Sequence, residues 1–446
     1  MSGIFAIAHT DDTAPSLVYL ALFALQHRGQ YGCGVAVNDN GYIDYRKERG
    51  YVDDLFDQEL LTRLRGNLAL GCIDNSQSDR TRFDLDPMVM GSGKGAFAIS
   101  YDGSILNRAE LLEEFPFLRK EMTNSDIIGS LIVHSDADDL VESVREVMPK
   151  IIGAYAMVVM SSHGIIALRD AHGVQALSLG KLDGSYMVSS ETCVFDVLGG
   201  EFISEIESGL IYHIRDGLVK KIPFEKPLAR KACLFEMIYF ARPDSVINDL
   251  SVYKMRRKTG QALAKTEPVD VDLVIAAPDS GTVATIGYAD KSGLPYGEGL
   301  IKNRYVGRTF ILSSQVSRDL AVKLKLNPLK ENIKGKDMVL VDDSIVRGTT
   351  MRGVVRMLKR AGAKKIHVRV ASPLCKYPCK LGVNQSLAET PLAAKKSIEE
   401  IKEQIGSDSL AFISVEDLLE STGRGDTFCA GCFTGVYPDL KGEHDA

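Results

Sequence analysis

The chain has 446 residues, of which 45% are hydrophobic and 25% charged, a globular composition with enough length for two or three hydrophobic cores. Its formal net charge of −6 gives no overall basic surface and does not suggest a nucleic acid partner. The longest apolar run near the N-terminus, 17–25, is too short to span a bilayer, so we expect a cytoplasmic protein without membrane association.

The first half of the chain is rich in predicted β-structure. Short apolar runs predict strands at 4–8, 34–37, 96–101, 154–160, 165–168 and 185–189. Helical periodicity predicts helices between them at 16–26, 108–114 and 125–134. The pattern stops at a segment with two prolines, 222–227, which we interpret as a linker.

The second half of the chain has a different pattern. Predicted strands at 273–276, 338–341 and 366–370 each adjoin a helical segment, which indicates βαβ units and a parallel sheet. The change of pattern at the linker predicts two domains, 1–225 and 226–446.

The strongest local signal is the segment 337–350, in which a buried strand runs into Asp342, Asp343 and Ser344 and then into a helix. The backbone N–H groups that open this helix, together with threonine hydroxyls, can hold a phosphate dianion. The two carboxylates suit a different task, orienting ribose hydroxyls either directly or through Mg2+. An isolated Asp-Asp-Ser would equally describe a solvated turn, so the full strand, loop and helix context carries this interpretation.

Two further segments are weaker signals on their own. The loop Pro278-Asp279-Ser280-Gly281-Thr282 also follows a β-run and precedes a helix, so it can face the same crevice at the carboxyl ends of parallel strands. The segment 302–309 places Lys302, Arg304 and Arg308 near a glycine, as a mobile flap over a polyphosphate would. Without the other loops it would be interpreted as a plain surface loop.

Eight cysteines in a chain expected to be cytoplasmic favour reduced thiols, metal ligation or catalysis over a disulfide framework. Cys429-Ala430-Gly431-Cys432 is a Cys-x-x-Cys pair, whose spacing suits a tetrahedral metal or one edge of a cluster. By itself this pair could equally bind zinc or act as a redox dithiol.

From end to end, the chain resembles the glutamine phosphoribosylpyrophosphate amidotransferase family, which opens purine synthesis. The segments that carry the resemblance in the second half are 233–236, 239–245, 302–310 and 341–350, and those in the first half are 26–30, 66–67, 153–155 and 190–191. The resemblance implies a two-domain α+β and α/β protein. An αββα sandwich of the N-terminal nucleophile hydrolase type would be followed by the parallel sheet of a type I phosphoribosyltransferase.

The activity that the resemblance implies is formation of 5-phosphoribosylamine from phosphoribosyl pyrophosphate, in which ammonia displaces pyrophosphate from the ribose C1. It implies an Mg2+ and ribose site at Ser280, Asp342 and Asp343. The implied catalytic residues are Asp342, Asp343, Lys302 and Arg304, and the implied substrate-binding residues are Asp279, Ser280, Gly281, Ser344, Arg347, Gly348, Thr349 and Thr350. Purine nucleotide regulators and a homodimer or homotetramer are also expected.

Family members of the Bacillus type hold a [4Fe-4S] cluster, and the resemblance implies that Cys233, Cys379, Cys429 and Cys432 bind one here. Of the other cysteines, Cys375 is interpreted as a bystander near the cluster. Cys33, Cys72 and Cys193 are interpreted as small buried residues.

The first half departs from the family pattern at the glutaminase site. The family begins Met-Cys-Gly-Ile and uses the cysteine thiol as nucleophile, whereas residue 2 here is Ser2, whose hydroxyl is a far weaker nucleophile. The family arginine that clamps the substrate α-carboxylate is replaced by Asp74, which would repel that group. The Asn-Gly of the family oxyanion hole is Asp102-Gly103, and the family aspartate for the substrate amine aligns with Asn124. We therefore predict that glutaminase activity is lost and that this site is vestigial.

Three functions remain open at this point. The first is an amidophosphoribosyltransferase that uses free ammonia or ammonia from a partner. The second is a non-catalytic regulatory paralogue that binds phosphoribosyl ligands or nucleotides, and the third is a phosphoribosyltransferase for another amine. The retained Asp342, Asp343, Arg347 and Lys302 favour the two catalytic functions, because a scaffold has no need of a pyrophosphate flap.

Overall fold

The computed structural model describes residues 1–75, 81–303, 325–381 and 390–440. Two antiparallel sheets stack in the N-terminal half, and a parallel sheet forms the centre of the C-terminal half. The predicted strands and the change of architecture along the chain are therefore confirmed. Within the described ranges, no helix is long and apolar enough to cross a membrane.

The N-terminal half contains a long series of strands connected by helices. In chain order, the strands are β1 (Gly3–Ala8), β2 (Gly32–Asp39), β3 (Tyr42–Arg49), β4 (Leu68–Asp74), β5 (Met88–Ser92), β6 (Gly95–Ile105), β7 (Gly153–Ser161), β8 (Gly164–Arg169), β9 (Ser178–Leu182), β10 (Ser185–Ser189), β11 (Glu201–Glu205), β12 (Leu210–Arg215) and β13 (Leu218–Pro223). The helices are α1 (Ala14–Leu25), α2 (Val52–Leu55), α3 (Gln58–Arg63), α4 (Arg108–Glu114), α5 (Asn124–Val133), α6 (Leu140–Val147) and α7 (Cys193–Leu198).

The two sheets of this half form the middle layers of a sandwich. Their strand orders are β11-β9-β10-β1-β4-β2-β3 and β13-β12-β8-β7-β6-β5. One core lies between the sheets, and two others lie beneath the outer helices. β7 is buried along its whole length because it is central and covered on both faces. The layers are thus those of the predicted αββα sandwich.

The C-terminal half carries a second series of elements. Its strands are β14 (Ala232–Cys233), β15 (Val246–Ile247), β16 (Leu250–Ser251), β17 (Leu273–Ala276), β18 (Leu300–Lys302), β19 (Leu326–Pro328), β20 (Asp337–Asp342), β21 (Lys365–Val370), β22 (Ser409–Phe412) and β23 (Phe428–Cys429). Its helices are α8 (Val252–Leu263), α9 (Thr282–Ser292), α10 (Lys330–Ile333), α11 (Thr349–Arg360), α12 (Ile398–Ile405), α13 (Val415–Thr422) and α14 (Gly431–Thr434).

The main sheet of this half has the order β17-β20-β21-β22, and all of its pairs are parallel. Because parallel strands end at the same edge, the loops after β17 and β20 meet there and lead into α9 and α11. One face of the sheet packs on α11 and α12, and the other packs on α8, α9 and α13. The sheet thus brings the two polar loops of the sequence together.

A short π-helix, Glu236–Phe240, connects the two halves of the molecule. Its first side chain, Glu236, contacts Arg28 of the N-terminal half, with 2.9 Å between Oε1 and Nη1. The buried Arg256 of α8 fixes this helix by donating to the carbonyl groups of Met237 and Ala241, each at 2.8 Å. π-Helical turns are rare and occur often at functional sites, so the boundary between the two halves is a candidate position for such a site.

Candidate active site

The two polar loops of the parallel sheet join through hydrogen bonds on Asp343, which is 5% exposed. Ser280 Oγ donates to Asp343 Oδ1 at 2.5 Å, and Ser344 Oγ donates to Asp343 Oδ2 at 2.7 Å. The Asp343 backbone N–H donates to Asp342 Oδ1 at 2.9 Å. The structure therefore brings together the three residues predicted to bind Mg2+, Ser280, Asp342 and Asp343.

The electrostatics of this acidic pair favour a cation. Burial raises the pKa of Asp342 well above its ordinary value, and the adjacent charge of Asp343 raises it further. Two neighbouring carboxylates repel each other, and a bound divalent cation would remove that repulsion. Carboxylate and hydroxyl oxygens are also the ligand types that Mg2+ prefers, so the residues present fit this ion.

A crevice of about 410 Å³, here called the C-terminal crevice, opens beside the acidic pair. The predicted residues that line it are Ser280, Asp342, Asp343, Ser344, Arg347, Gly348, Thr349 and Thr350. Gly348 adopts a left-handed backbone conformation with φ of 72° directly before α11, a conformation that glycine accepts without strain. The start of α11 therefore faces the crevice, as predicted from the sequence.

The remaining predicted residues lie around the crevice. Gly281 packs so closely that a Cβ there would lie 2.8 Å from the Val341 carbonyl oxygen, so this position requires glycine. Lys302 forms an ion pair with the exposed Asp279. Arg304 lies outside the described residues. Phe235 and Tyr239 also line the crevice, although no motif in the sequence predicts a role for them.

A smaller cavity of about 120 Å³, here called the N-terminal cavity, contains the predicted vestigial residues Ser2, Asp74, Asp102 and Gly103. The backbone nitrogen of Ser2 donates to Asp102 Oδ1 at 2.7 Å. Gly103 has φ of 147°, and a Cβ there would lie 2.1 Å from the Ala154 carbonyl oxygen, so only glycine fits. The four residues thus share one site although they are far apart in sequence.

The N-terminal cavity is acidic. Its lining includes Asp74, Asp84, Asp86 and Asp102, and within the described ranges none of its lining residues is a lysine, arginine or histidine. Burial raises the pKa of Asp86 to about 7, although the Tyr101 N–H and the Ser125 hydroxyl donate to its carboxylate and favour ionisation. This cavity therefore disfavours additional negative charge.

We expect Asp86→Asn to stabilise the protein at pH 8 but not at pH 5. Because the folded pKa of Asp86 is raised to about 7, its contribution to stability is present at low pH and is lost as pH rises from about 4 to 7. Asparagine keeps an oxygen that can accept both hydrogen bonds. The free energy of unfolding, measured with urea at both pH values, should favour the variant by roughly 2 kcal/mol more at pH 8 than at pH 5. If the variant and the wild type differ in this free energy by the same amount at both pH values, the raised pKa of Asp86 is wrong.

Behind the N-terminal cavity lies Arg28, whose side chain is fully buried. Its Nε donates to the Ser2 carbonyl at 2.8 Å, and its Nη1 donates to Glu191 Oε1 at 2.6 Å and to Glu236 Oε1. Its Nη2 lies 4.0 Å from Asp102 Oδ2. Burial raises the pKa of Glu236 to about 7, even though the guanidinium of Arg28 opposes the shift. Arg28 thus links the N-terminal cavity to the π-helix.

The four cysteines predicted to bind a cluster lie in one core of the C-terminal half, and all four are free thiols. Cys233 and Cys429 are paired in register between β14 and β23. The carbonyl of Cys432 accepts hydrogen bonds from the backbone N–H groups of 376 and 377, which ties the segment before Cys379 to the same place. We call these residues the four-thiol group.

The four-thiol group offers the thiolate donors that an iron-sulfur cluster or another metal centre needs. Burial raises the pKa of Cys233 and Cys432, and the neighbouring cysteines raise it further. A metal would relieve this repulsion by binding the thiolates. In the part of the chain that the structure describes, no group of three His, Cys, Asp or Glu side chains is placed to hold a single metal ion.

Comparison with known proteins finds a matching domain family in each half of the chain. A phosphoribosyl transferase domain model matches residues 272–378, and a glutamine amidotransferase domain model matches residues 75–196. The chain is 41% identical over 448 residues to an amidophosphoribosyltransferase of Archaeoglobus fulgidus, and 40% identical over 460 residues to one of Methanocaldococcus jannaschii. Each alignment covers 98% of this chain and 98% of the relative.

A solved structure shares the whole fold. The glutamine phosphoribosylpyrophosphate amidotransferase of B. subtilis, complexed with ADP and GMP, superimposes with a TM-score of 0.92 at 37% identity. The match covers 98% of this chain and 97% of that chain. The predicted pairing of an N-terminal nucleophile hydrolase sandwich with a type I phosphoribosyltransferase sheet is confirmed.

Proposed function

The chain belongs to the amidophosphoribosyltransferase family, and from that premise we propose that it makes 5-phosphoribosylamine with ammonia rather than glutamine as the amine donor. Its enzyme class, a phosphoribosyltransferase of purine biosynthesis, is that of its full-length relatives. The single observation that carries the choice of ammonia is the sharing of the N-terminal cavity by Ser2, Asp74 and Asp102.

The C-terminal crevice supplies the groups for phosphoribosyl transfer. Backbone N–H groups at the start of α11, with the hydroxyls of Thr349 and Thr350, would hold the 5-phosphate of phosphoribosyl pyrophosphate. Asp342 and Asp343 would orient the ribose hydroxyls and, with Ser280, hold Mg2+. When bound, Mg2+ neutralises charge on the departing pyrophosphate.

The bond change in this crevice needs no protein nucleophile. The lone pair of ammonia attacks the ribose C1, the bond from C1 to pyrophosphate breaks, and the nitrogen then loses a proton. Lys302 is paired with Asp279, the residue before Ser280 of the crevice lining, and would exchange this partner for the pyrophosphate, adding positive charge where negative charge develops. The residues thus act by positioning and electrostatic stabilisation.

The N-terminal cavity lacks the chemistry for glutamine hydrolysis. A glutamine substrate would bring its α-carboxylate into a cavity lined by four aspartates, and its tetrahedral intermediate would place an oxyanion near Asp102. In addition, Asp102 accepts a hydrogen bond from the Ser2 nitrogen, the atom that serves as the base in the related enzymes when it is a free amine. Both effects oppose glutaminase activity at this site.

We expect ammonium to support pyrophosphate release, whereas glutamine should not. Purified protein would be prepared without oxygen and given phosphoribosyl pyrophosphate, Mg2+ and either nitrogen source, with pyrophosphate and glutamate measured together. Ser2→Ala should show the same ammonia-dependent rate, because the hydroxyl has no role in the transfer. Glutamate formation at a rate comparable with pyrophosphate release, and its loss in Ser2→Ala, would overturn the proposal.

The four-thiol group would hold a [4Fe-4S] cluster. Once bound, such a cluster would cross-link three segments that are distant in sequence. They are β14 with Cys233, the segment that contains Cys379, and the C-terminal segment that contains Cys429 and Cys432. Cys233 lies only three residues before Glu236, the first residue of the π-helix. A cluster bound at Cys233 would therefore also help to fix this helix at the boundary between the two halves.

Regulation by purine nucleotides also belongs to this proposal. The related B. subtilis structure is described as a complex with ADP and GMP, and it shares the fold along almost the whole chain. A homodimer or homotetramer remains a prediction from the family resemblance.

A further inference from the structure

The N-terminal cavity carries negative charge that its surroundings do not neutralise. Two cations stand near its four aspartates, Arg28 and Lys47, but neither lines the cavity. Arg28 Nη1 is already bonded to the carboxylates of Glu191 and Glu236. Burial raises the pKa of Asp86 to about 7, and the charge of Lys47 does not reverse that shift. The cavity therefore favours a ligand that brings positive charge.

One oxygen in the cavity lining lacks a hydrogen-bond donor. Asp102 is only 5% exposed, and its Oδ1 accepts a hydrogen bond from the backbone nitrogen of Ser2. Its Oδ2 accepts none from the residues that the structure describes, because Arg28 Nη2, at 4.0 Å, is beyond hydrogen-bond distance. An unsatisfied acceptor on a buried charged group carries a free-energy penalty. An ammonium group of a ligand would donate to this oxygen and remove the penalty.

The lining also indicates the chemical class of this ligand. Among the described residues, no group of three His, Cys, Asp or Glu side chains is placed to hold a metal ion, so we infer an organic cation. A zwitterion is unsuitable because its carboxylate would meet the aspartates. The cavity of about 120 Å³ has space for about four water molecules, which limits the ligand to a few non-hydrogen atoms.

The origin of the four carboxylates favours a ligand with two positive charges. Asp74 ends β4 of one sheet, Asp102 lies within β6 of the other sheet, and Asp84 and Asp86 precede β5. Because the carboxylates come from three segments, more than one ammonium group can find a partner. The ring of Tyr101 also lines the cavity and can contact methylene groups between the two charges.

We propose that the N-terminal cavity binds a short aliphatic diamine, with one of its two ammonium groups donating to Asp102. The cavity would then select ligands by a rule opposite to that of a glutamine site, because it attracts cations and repels carboxylates. This inference goes beyond the proposed function, since the diamine takes no part in phosphoribosyl transfer.

The test is isothermal titration of the full-length protein with putrescine at about pH 8 and low ionic strength. At this pH Asp86 is mostly ionised and both amino groups of putrescine are protonated. We expect a Kd below about 1 mM that rises with salt. Butanediol with terminal hydroxyls has the same length without charge, and γ-aminobutyrate is a zwitterion, so neither should bind detectably. Absence of putrescine binding, or equal binding of either control compound, would overturn the proposal.

The variant that tests the position is Asp102→Asn. Asparagine keeps an oxygen for the Ser2 N–H but removes the negative charge, so the Kd for putrescine should rise at least about tenfold. The matched control is Asp216→Asn, because the side chain of Asp216 is 81% exposed and does not line the cavity. Its Kd should stay within about twofold of the wild-type value. Equal weakening in both variants would show that overall charge, and not this cavity, governs binding.

A crystal structure of the wild-type protein with putrescine decides the case in which Asp102→Asn fails to fold. We expect electron density for putrescine in the N-terminal cavity, with one nitrogen within hydrogen-bond distance of Asp102 Oδ2. Density elsewhere, or an empty cavity, would show that the site is wrong. The binding measurements contain neither phosphoribosyl pyrophosphate nor a nitrogen donor for the transfer. Glutamate formation from glutamine would therefore overturn the proposed function separately, while putrescine binding still tests this site.

Discussion

Asp343→Ala should lower ammonia-dependent pyrophosphate release at least about a hundredfold, the usual scale for removing a key electrostatic group at a reacting centre. Asp343 holds both Ser280 and Ser344 in place, so its loss removes a carboxylate from the crevice and also releases two hydroxyls. The fold should remain intact, because removing one of two adjacent buried carboxylates relieves repulsion on Asp342. Circular dichroism and thermal unfolding would check the fold alongside the kinetics.

The control for this variant is Asp337→Asn, at the opposite end of the same strand, β20. Asp337 is not among the residues that line the crevice, and its Oδ2 lies 3.8 Å from Lys364 Nζ. The activity of the Asp337→Asn variant should therefore stay close to that of the wild type. An Asp343→Ala protein with near-normal activity and unchanged Mg2+ dependence would show that the acidic pair is not the reaction site.

Loss of a cluster ligand should have the second large effect. Protein prepared without oxygen is expected to be brown, with about four irons and four inorganic sulfides per chain. In Cys432→Ser, iron should be lost and the melting temperature should fall by at least about 10 °C, because a cross-link between distant segments disappears. Iron and sulfide analysis, together with thermal unfolding, would measure both effects.

Cys375, interpreted as a bystander near the cluster, provides the control. It is fully buried in the apolar core, so a serine hydroxyl there would itself be destabilising. Cys375→Ala is the better choice and should retain full iron content. A protein with zinc and no sulfide, or a Cys432→Ser protein with full iron and unchanged stability, would exclude the cluster.

Local patterns predicted much of the fold. β20 and the loop after it were predicted because a buried apolar run, two acidic residues and a helix start are adjacent in sequence. β3 was missed because it is a partly exposed strand at the sheet edge with several charged residues, which hide the alternation of a strand. The short strands β14 and β23 have only two residues each and leave no periodic pattern at all.

The site was predictable in its parts but not in its connections. The resemblance placed Ser2 and Asp102 in one vestigial pocket, yet the bond from the Ser2 nitrogen to Asp102 joins positions 100 residues apart. Similarly, Arg28 and Glu236 each stand in segments that match the family, but their contact spans 208 residues and the two domains. Such contacts arise from tertiary packing, which no local pattern in a single sequence encodes.

The hydrogen bond between Ser2 and Asp102 has a consequence for evolutionary reversibility. A single change of Ser2 to cysteine would place a thiol in a cavity already lined by aspartates, where negative charge disfavours the reactive thiolate. A change at Asp102 or Asp74 alone would leave a serine without the nucleophilicity of a thiol. No single step along this path improves glutamine hydrolysis, so selection cannot favour the first one. Under the proposed function, the loss of glutaminase activity would therefore be hard to reverse, and dependence on ammonia would restrict such an enzyme to conditions in which ammonia is supplied.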